Sequence, residues 1–335
     1  MSKIRVFNIG LGTLSSSLAR ALILHREKKD LPWIWHKRVG GFDIDSIEIV
    51  GFADIDCRKI NENTNPPIIP GFLLDDLKIL RDHINNNLCV SDPEIFKNTL
   101  KKLEPDIVIL AINSGEENTS RRYAEISADT GTSLVNTTPE YLARDPVISE
   151  RFLGRGLLIV GDDLLSNIGG TILHKSMADF FKRRGLRILR SYQLDISGTL
   201  ETLITSDERI RTKKRDIKSR SIEIEGVERI IAGTTDYVPF LEDQRISHIY
   251  MEILGPLDKI YRIEVKYWSF DGSSGVNTLL DVIRALAYVV KRFSGNREEL
   301  IRYAEIISAY GFKAPPKSLR YGDALEIFEK TFCSW

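Results

Sequence analysis

The segment IRVFNIGLGTLSSSLARAL, residues 4–22, decides the fold class of this 335-residue chain. It opens with a short apolar run that is typical of a buried strand, and from Ser15 onward it has the apolar face of a helix. Gly10 and Gly12 lie between the two, where glycine lets the backbone turn sharply and approach a pyrophosphate at the helix N-terminus. The segment therefore predicts the first strand–helix unit of a dinucleotide-binding domain.

The rest of the N-terminal half repeats this alternation. Further apolar strands are predicted over residues 46–56, 105–113, 132–139 and 157–163, with helical sequence after the last three. Residues 60–71 are rich in Pro, Asn and Gly, which predicts a loop. Strands that alternate with helices indicate a parallel sheet with both faces covered.

The sequence changes character near residue 190. Residues 187–198, 247–255 and 260–270 have strand-like sequence with little helix among them, which predicts a second sheet, mostly antiparallel or mixed. After Asp271 the sequence is helical again, and these helices are expected to return to the first domain. The fold class is therefore α/β, a doubly wound parallel sheet of the Rossmann type with a second α+β domain. The predicted domains are residues 1–190 with about 285–335, and about 191–284.

Asp54 ends the second predicted strand and supports a nucleotide site. It follows Gly10 by 44 residues, about twice the usual separation, because the stretch WIWHKRVGGFDID lengthens the unit. A carboxylate there accepts hydrogen bonds from adenosine ribose hydroxyls and so favours NAD over NADP. Ser15 replaces the third glycine of the usual fingerprint, and hydroxyls here can cap the helix or bond phosphate. NAD is the predicted cofactor.

The composition excludes several classes of partner. Lys+Arg and Asp+Glu are both 47, so no global field draws nucleic acid or an anionic membrane. No apolar run reaches the roughly 18 residues of a membrane span. Cys57, Cys89 and Cys333 are scattered without metal-ligand spacing, which predicts free thiols in a reducing cytoplasm. The five histidines show no metal-binding spacing and are interpreted as structural.

A second anion site is predicted where the strand ending in GDD, residues 161–163, is followed by SNIGGT and a long helix. Ser166, Gly169 and Thr171 would offer hydroxyls and open backbone N–H groups at the helix N-terminus. The alternative is a capped helix with two solvated acids. The adjacent acids are weak support for a metal, so a divalent or monovalent cation stays open.

A basic run over residues 209–220 poses a different question. Lys214 and Lys218 are four apart, so on a helix these like charges share a face and repel each other. A solvated helix face or an RNA-binding patch would each account for the run on charge alone. A second ammonium about 6 Å away would also lower a lysine pKa by about two units, which suits proton transfer.

Taken together, the motifs resemble those of the myo-inositol-1-phosphate synthase family, especially its short archaeal and bacterial forms. The order and spacing of the matching stretches carry the resemblance: NIGLGTLSSSLARAL, GGFDIDSIEIVGFADID, VNTTPEYLARDP, GDDLLSNIGGTILHKSMADFFKRRG, YQLDISG, KKRDIKSR, GTTDYVPFLEDQR, FDGSSGVNTLLDVIRA and GFKAPP. The resemblance implies a Rossmann domain that binds NAD and a middle α+β domain that carries catalysis and the core of a homotetramer. It also implies the reaction: D-glucose 6-phosphate is oxidised at C5, enolised, closed by an intramolecular aldol step and re-reduced by the same cofactor to 1L-myo-inositol 1-phosphate.

Motif by motif, the resemblance implies three groups of site residues. The catalytic residues are Lys214, Lys218, Lys313, Asp163, Asp271, Glu201 and Arg245. The substrate phosphate lies on Ser166, Asn167, Gly169, Thr171 and Lys218. The cofactor lies on Gly10, Gly12, Thr13, Ser16, Ser17, Asp54, Asn113, Thr137 and Asp163.

Several positions depart from the family pattern. Leu165 and Arg245 stand where the family has lysines, and Asp195 stands where it has asparagine. The next stretch reads Thr199-Leu200-Glu201, so its acid is one methylene longer. Because arginine does not deprotonate in practice, a proton-transfer role at position 245 must pass to Lys214 or Lys313. These departures keep open a relative that acts on a different sugar phosphate, and a catalytically inactive NAD-binding sensor.

Overall fold

The computed structural model describes residues 3–76, 78–84 and 87–333. Its strands are β1 (Ile4–Ile9), β2 (Ile47–Asp54), β3 (Ile68–Pro70), β4 (Ile107–Leu110), β5 (Ser133–Asn136), β6 (Ile159–Val160), β7 (Arg187–Ser197), β8 (Ile230–Tyr237), β9 (Gln244–Leu254) and β10 (Ile260–Phe270). Its α-helices are α1 (Thr13–Lys28), α2 (Lys78–His83), α3 (Pro93–Leu103), α4 (Glu117–Asp129), α5 (Pro146–Leu153), α6 (Gly170–Arg183), α7 (Leu200–Ile204), α8 (Glu208–Glu223), α9 (Asp271–Ser274), α10 (Val276–Phe293), α11 (Arg297–Gly311) and α12 (Tyr321–Phe332).

The first sheet is parallel throughout and has the order β3-β2-β1-β4-β5-β6. This is the strand order of a doubly wound dinucleotide-binding sheet, in which the order reverses between β1 and β4. The prediction of a Rossmann-type α/β fold is confirmed. The loop predicted over residues 60–71 is wrong in one detail, because Ile68–Pro70 pairs with β2 as an edge strand.

Both faces of this sheet are covered, which explains the continuous apolar runs of its strands. Residues of α1, α10 and α11 form one buried core with Ile4 and Val6 of β1. Residues of α3, α4 and α5 form the other core with Phe7 and Ile9 of the same strand. The C-terminal helices therefore pack on the first sheet, as expected, while the domain boundaries themselves stay a prediction.

The second sheet has the order β10-β9-β7-β8 and is mixed, with one parallel pair, β7 with β8, and two antiparallel pairs. The mixed sheet was predicted, but strand β8 was not, because its sequence IIAGTTDY lacks a clear apolar alternation. The expectation of little helix in this region is wrong, since the 16-residue α8 lies between β7 and β8. Helices α6 and α8 pack on one face of this sheet through a third buried core.

The prediction of free thiols is wrong for two of the three cysteines. Cys57 and Cys89 form a disulfide, with Cα atoms 4.9 Å apart, while Cys333 has a free thiol. The two cysteines are 32 residues apart, so their spacing alone did not predict the pairing. They meet because the fold brings the end of β2 beside the segment after α2. Within the described ranges no helix has the length and apolarity to cross a membrane.

Candidate active site

A cleft of about 770 Å³ opens at the carboxyl ends of the first sheet, where the strand order reverses. Residues at the ends of β1 and β2, and residues just after the ends of β4, β5 and β6, line the cleft. The predicted cofactor residues all do so: Gly10, Gly12, Thr13, Ser16, Ser17, Asp54, Asn113, Thr137 and Asp163.

The glycine turn fits the close approach of a nucleotide. Gly10 has φ +87°, and a Cβ there would lie 2.3 Å from the carbonyl oxygen of Ala111, so only glycine fits. A Cβ on Gly12 would meet open space, and α1 begins there with no side-chain cap and no acid in its first turn. Its N–H groups are therefore available to a pyrophosphate. Ser15 is buried and does not line the cleft, and no described residue forms a hydrogen bond with its hydroxyl.

Asp54 is buried at the edge of the cleft, and its carboxylate already has partners. Oδ2 accepts from the N–H of Leu11 at 2.7 Å and from Lys59 Nζ at 3.1 Å, and Oδ1 accepts from the N–H of Asp56 at 2.9 Å. The carboxylate thus fixes the glycine turn, and a ribose contact would use its remaining lone pairs.

A smaller cavity of about 110 Å³ lies at the N-terminus of α6. A Cβ on Gly170 would lie 2.2 Å from Ser247 Oγ, so glycine lets the helix start directly against the second sheet. This N-terminus carries no side-chain cap and no acid in its first turn, which leaves its N–H groups open to an anion. Gly169, Thr171 and Lys218 line the cavity, as predicted for a phosphate site.

The two cavities adjoin, because they share lining residues. The shared residues are Asp163, Ser166, Lys214, Arg245, Asp271 and Lys313. Asn167 lines neither cavity, and its backbone N–H donates to the carbonyl of Ser274 at 3.2 Å. The alternative of two solvated acids at GDD is wrong, since Asp162 and Asp163 are both buried.

Chain segments distant in sequence bring the cations together. Lys214 and Lys218 come from α8, Arg245 from β9, and Lys313 from the segment after α11. That last segment pairs with the end of β6, because the N–H of Lys313 donates to the carbonyl of Asp163 at 2.8 Å. Convergence of these residues on one site is what the sequence motifs implied.

Each of the four cations faces a carboxylate. The pairs are Lys214–Glu201, Lys218–Asp195, Lys313–Asp163 at 2.7 Å and Arg245–Asp271 with NH2 to Oδ2 at 2.7 Å. Positive and negative charges therefore balance around the shared wall. An entering phosphate would have to draw a cation away from its carboxylate or share it.

The electrostatics of Lys218 differ from the expectation that Lys214 lowers its pKa. Burial lowers the pKa of Lys218 most, Asp195 opposes that effect, and the charges of Arg245 and Lys313 lower the pKa further. Burial also lowers the pKa of Arg245, but Asp271 and Asp195 outweigh it and raise the pKa above its usual value. The neighbouring cations that lower the pKa of Lys218 are thus Arg245 and Lys313, while Lys214 contacts Glu201.

Sequence reasoning missed Lys213, which was assigned to a solvated helix face. Its Nζ contacts the carboxylate of Glu140, whose side chain is only 1% exposed. Glu140 Oε1 also accepts from the N–H of Gly115 at 2.9 Å. Since Glu140 follows β5 and Lys213 lies on α8, the pair ties the basic helix to the edge of the first sheet. The NTTPE sequence gave no sign of this long-range partner.

Within the described part of the chain, no group of three or more His, Cys, Asp or Glu side chains is arranged to hold a metal ion. His36 bonds Asp281 and Glu329, and none of these three residues lines either cavity. His174 bonds Ser191 and Gln193, and Gln193 lines the small cavity.

A family model described as myo-inositol-1-phosphate synthase matches residues 169–272. The inositol-3-phosphate synthase of Mycolicibacterium smegmatis is 28% identical over 354 residues, with 95% of this chain and 94% of that protein covered. The chain is similar to members of the myo-inositol-1-phosphate synthase family over nearly its whole length. The inositol-3-phosphate synthase of Corynebacterium glutamicum is 26% identical, with 98% of each chain covered.

Solved structures show the same fold. A myo-inositol-1-phosphate synthase-related protein from Thermotoga maritima superposes with a TM-score of 0.80 at 18% identity and covers 98% of both chains. The inositol-3-phosphate synthase of Caenorhabditis elegans gives a TM-score of 0.75 at 14% identity, with 99% of this chain and 85% of that one covered.

The departures from the inositol-phosphate synthase pattern have distinct places in the structure. Leu165 is 2% exposed and lines neither cavity, so this side chain does not reach the site. Arg245 and Asp195 both line the small cavity. Thr199 lines the large cleft, and its hydroxyl donates to Asp271 Oδ2 at 3.2 Å. The divergence therefore lies in the wall that the two cavities share and beside it.

Proposed function

We propose that this protein is an NAD-dependent inositol-3-phosphate synthase that converts D-glucose 6-phosphate to 1L-myo-inositol 1-phosphate. The observation that carries the proposal is the junction of a dinucleotide-sized cleft with a small cation-lined cavity at a helix N-terminus. A sugar phosphate bridging the two would place its phosphate in the cavity and its carbon chain against the cleft. Bound NAD would supply the oxidation at C5 and the matching reduction at the end of the reaction.

The phosphate end falls to α6 and α8. The open N–H groups after Gly169, with the Ser166 and Thr171 side chains, would donate to the phosphate oxygens. Lys218 adds a fixed positive charge from the opposite wall. Asn167 has no part in this contact, since it lines neither cavity and its backbone N–H donates to the carbonyl of Ser274.

The remaining cations serve the reacting carbons. Arg245, held by Asp271, stays charged and would stabilise an enolate or alkoxide oxygen. Lys214 and Lys313 would transfer protons, because each has its amine in the shared wall. Each also contacts a carboxylate that can take up or return the proton. These carboxylates belong to Glu201 and Asp163.

The test is incubation of the purified protein with glucose 6-phosphate and NAD, followed by phosphorus NMR. The proposal predicts a new phosphomonoester that matches inositol 1-phosphate, with no net accumulation of NADH. NAD released from denatured protein provides the control for cofactor content. Unchanged glucose 6-phosphate in a sample that contains bound NAD would refute the assignment.

A second candidate is a carbocyclase or isomerase for a different sugar phosphate. Arg245 favours it, because a wall cation that cannot deprotonate changes where protons move. Turnover of another hexose 6-phosphate but not of glucose 6-phosphate in the same assay would select it. An inactive NAD-binding sensor fits less well, since Lys214, Lys218 and Lys313 are all retained.

We further infer a homotetramer in the cytoplasm, on the family resemblance. Sedimentation or light scattering of the purified protein tests the assembly, and a monomer in solution would rule it out.

A further inference from the structure

Asp195 is a buried acid that none of the roles above uses. It lies on β7, its residue is 0% exposed, and it lines the small cavity beside Lys218. Every group around its carboxylate is a donor. Ser247 Oγ donates to Oδ1 at 2.6 Å, Gln193 Nε2 donates to Oδ1 at 2.9 Å, and Lys218 Nζ contacts Oδ2. Such a setting suits the ionised carboxylate, which accepts only.

Asp195 is also the attractive charge nearest Lys218. Arg245 NH1 lies 3.6 Å from Asp195 Oδ2, so the acid separates two cations in the same wall. Burial raises the pKa of Asp195, but the charges of Lys218 and Arg245 hold it well below its usual value. Without this carboxylate, the Lys218 ammonium would lie beside the charges of Arg245 and Lys313 and would have no ion-pair partner among the described residues.

The charged and titratable groups facing Lys218 come from every neighbouring element. They are Asp195 on β7, Arg245 on β9, His174 on α6, Lys214 on α8, Asp271 on α9, Asp163 after β6 and Lys313 after α11. His174 is neutral here, because burial lowers its pKa to about 4.

We propose that Asp195 is a positioning residue that keeps the Lys218 side chain an ammonium ion aimed into the small cavity. Lys218 then acts as a permanent phosphate-binding cation, and proton transfer falls to Lys214 and Lys313. The second statement rests on the function proposed above, whereas the coupling of Asp195 to Lys218 does not.

The experiment measures the ionisation of Lys218 without any substrate. Acetic anhydride labels neutral amines, so the labelling of Lys218 against pH, read by peptide mass spectrometry, gives its midpoint. In Asp195→Asn the midpoint should fall by about one to three pH units, the size of a lost opposite charge at this distance. The labelling midpoint of the exposed Lys330, measured in the same sample, should not change. An unchanged Lys218 midpoint would overturn the proposal.

A second variant tests the opposite direction of the shift in the Lys218 midpoint. It also keeps the proposal testable if Asp195→Asn does not fold. Arg245→Gln removes the nearest repelling cation, so the Lys218 midpoint should rise. A fall or no change would contradict the charge arrangement.

Inorganic phosphate separates this inference from the proposed reaction. Bound phosphate should protect Lys218 of the wild type from acetylation. In Asp195→Asn this protection should be lost at pH values above the lowered labelling midpoint of Lys218, where the amine is neutral. Absence of protection in the wild type would overturn the phosphate-binding role. A protein that shows the shift and the protection but does not turn over glucose 6-phosphate would refute the reaction alone.

Discussion

The Lys213–Glu140 pair gives the sharpest stability prediction. Lys213→Met keeps the length of the side chain and its apolar packing, and it removes the only cation that contacts the Glu140 carboxylate among the described residues. Glu140 is then left with the Gly115 N–H at 2.9 Å as its remaining donor. Breaking a fully buried pair costs about 3–5 kcal/mol, and because Lys213 is 31% exposed, we expect about 2 kcal/mol.

Thermal unfolding at matched NAD content measures this cost. About 2 kcal/mol corresponds to a midpoint lower by about 3 °C for a chain of this size. Glu140→Gln serves as the matched variant, because it keeps the acceptor for Gly115 and leaves Lys213 free to reach solvent. The double variant should lose much less free energy of unfolding than the sum of the two single variants. A double-mutant cycle measures this difference as the coupling energy of the pair.

The same variant has a consequence for activity, since Lys213 is adjacent to Lys214 on α8. If the pair fixes the helix, turnover should fall in Lys213→Met while bound NAD stays constant. A midpoint within about 1 °C of the wild type, which is the usual result for a solvated surface lysine, would refute the reasoning.

Three other predictions follow from single features of the structure. Lys218→Ala should lower turnover by about 10²–10³-fold, as loss of one preorganised donor does. Bound NAD should stay intact, because Lys218 does not line the large cleft. Loss of the nucleotide in this variant would show that Lys218 belongs to the cofactor site instead. Burial lowers the pKa of His36, but Asp281 and Cys333 together outweigh burial and raise the pKa to about 10. That stabilisation is complete below pH ~6.5 and is lost as pH rises through about 10, so the difference in melting temperature between wild type and His36→Gln should narrow from pH 7 to pH 11, and a constant difference would contradict it. The Cys57–Cys89 disulfide links residues 32 apart, so its reduction should destabilise the folded state by roughly 3–4 kcal/mol. The melting temperature should fall in reductant, and Cys57→Ser should show the same decrease. An unchanged melting temperature would show that the bridge does not form.

Local sequence predicted the features that depend on local physics. The apolar runs and the Gly10–Gly12 turn identified the sheet and the cleft, because a buried parallel strand and a positive φ each restrict residue type. The four-residue spacing of Lys214 and Lys218 likewise placed both on one side of a helix that lines the candidate site.

What sequence did not predict depends on contacts between distant segments. Lys213 meets Glu140 across 73 residues, and Asp195 meets Ser247 across 52. Neither partner can be read from spacing along one element, because the second sheet and α8 must first pack together. The balanced charges of the wall have the same origin, since each cation there could equally have faced solvent.

One measurement tests the central claim, that a single NAD held beside the cation-lined cavity both removes and returns hydride. Glucose 6-phosphate deuterated at C5 is incubated with the protein in excess unlabelled NADH, and the product is weighed by mass spectrometry. The account predicts a cyclised phosphate that keeps the deuterium. A product without deuterium, or no cyclised product from protein that contains NAD, would contradict it.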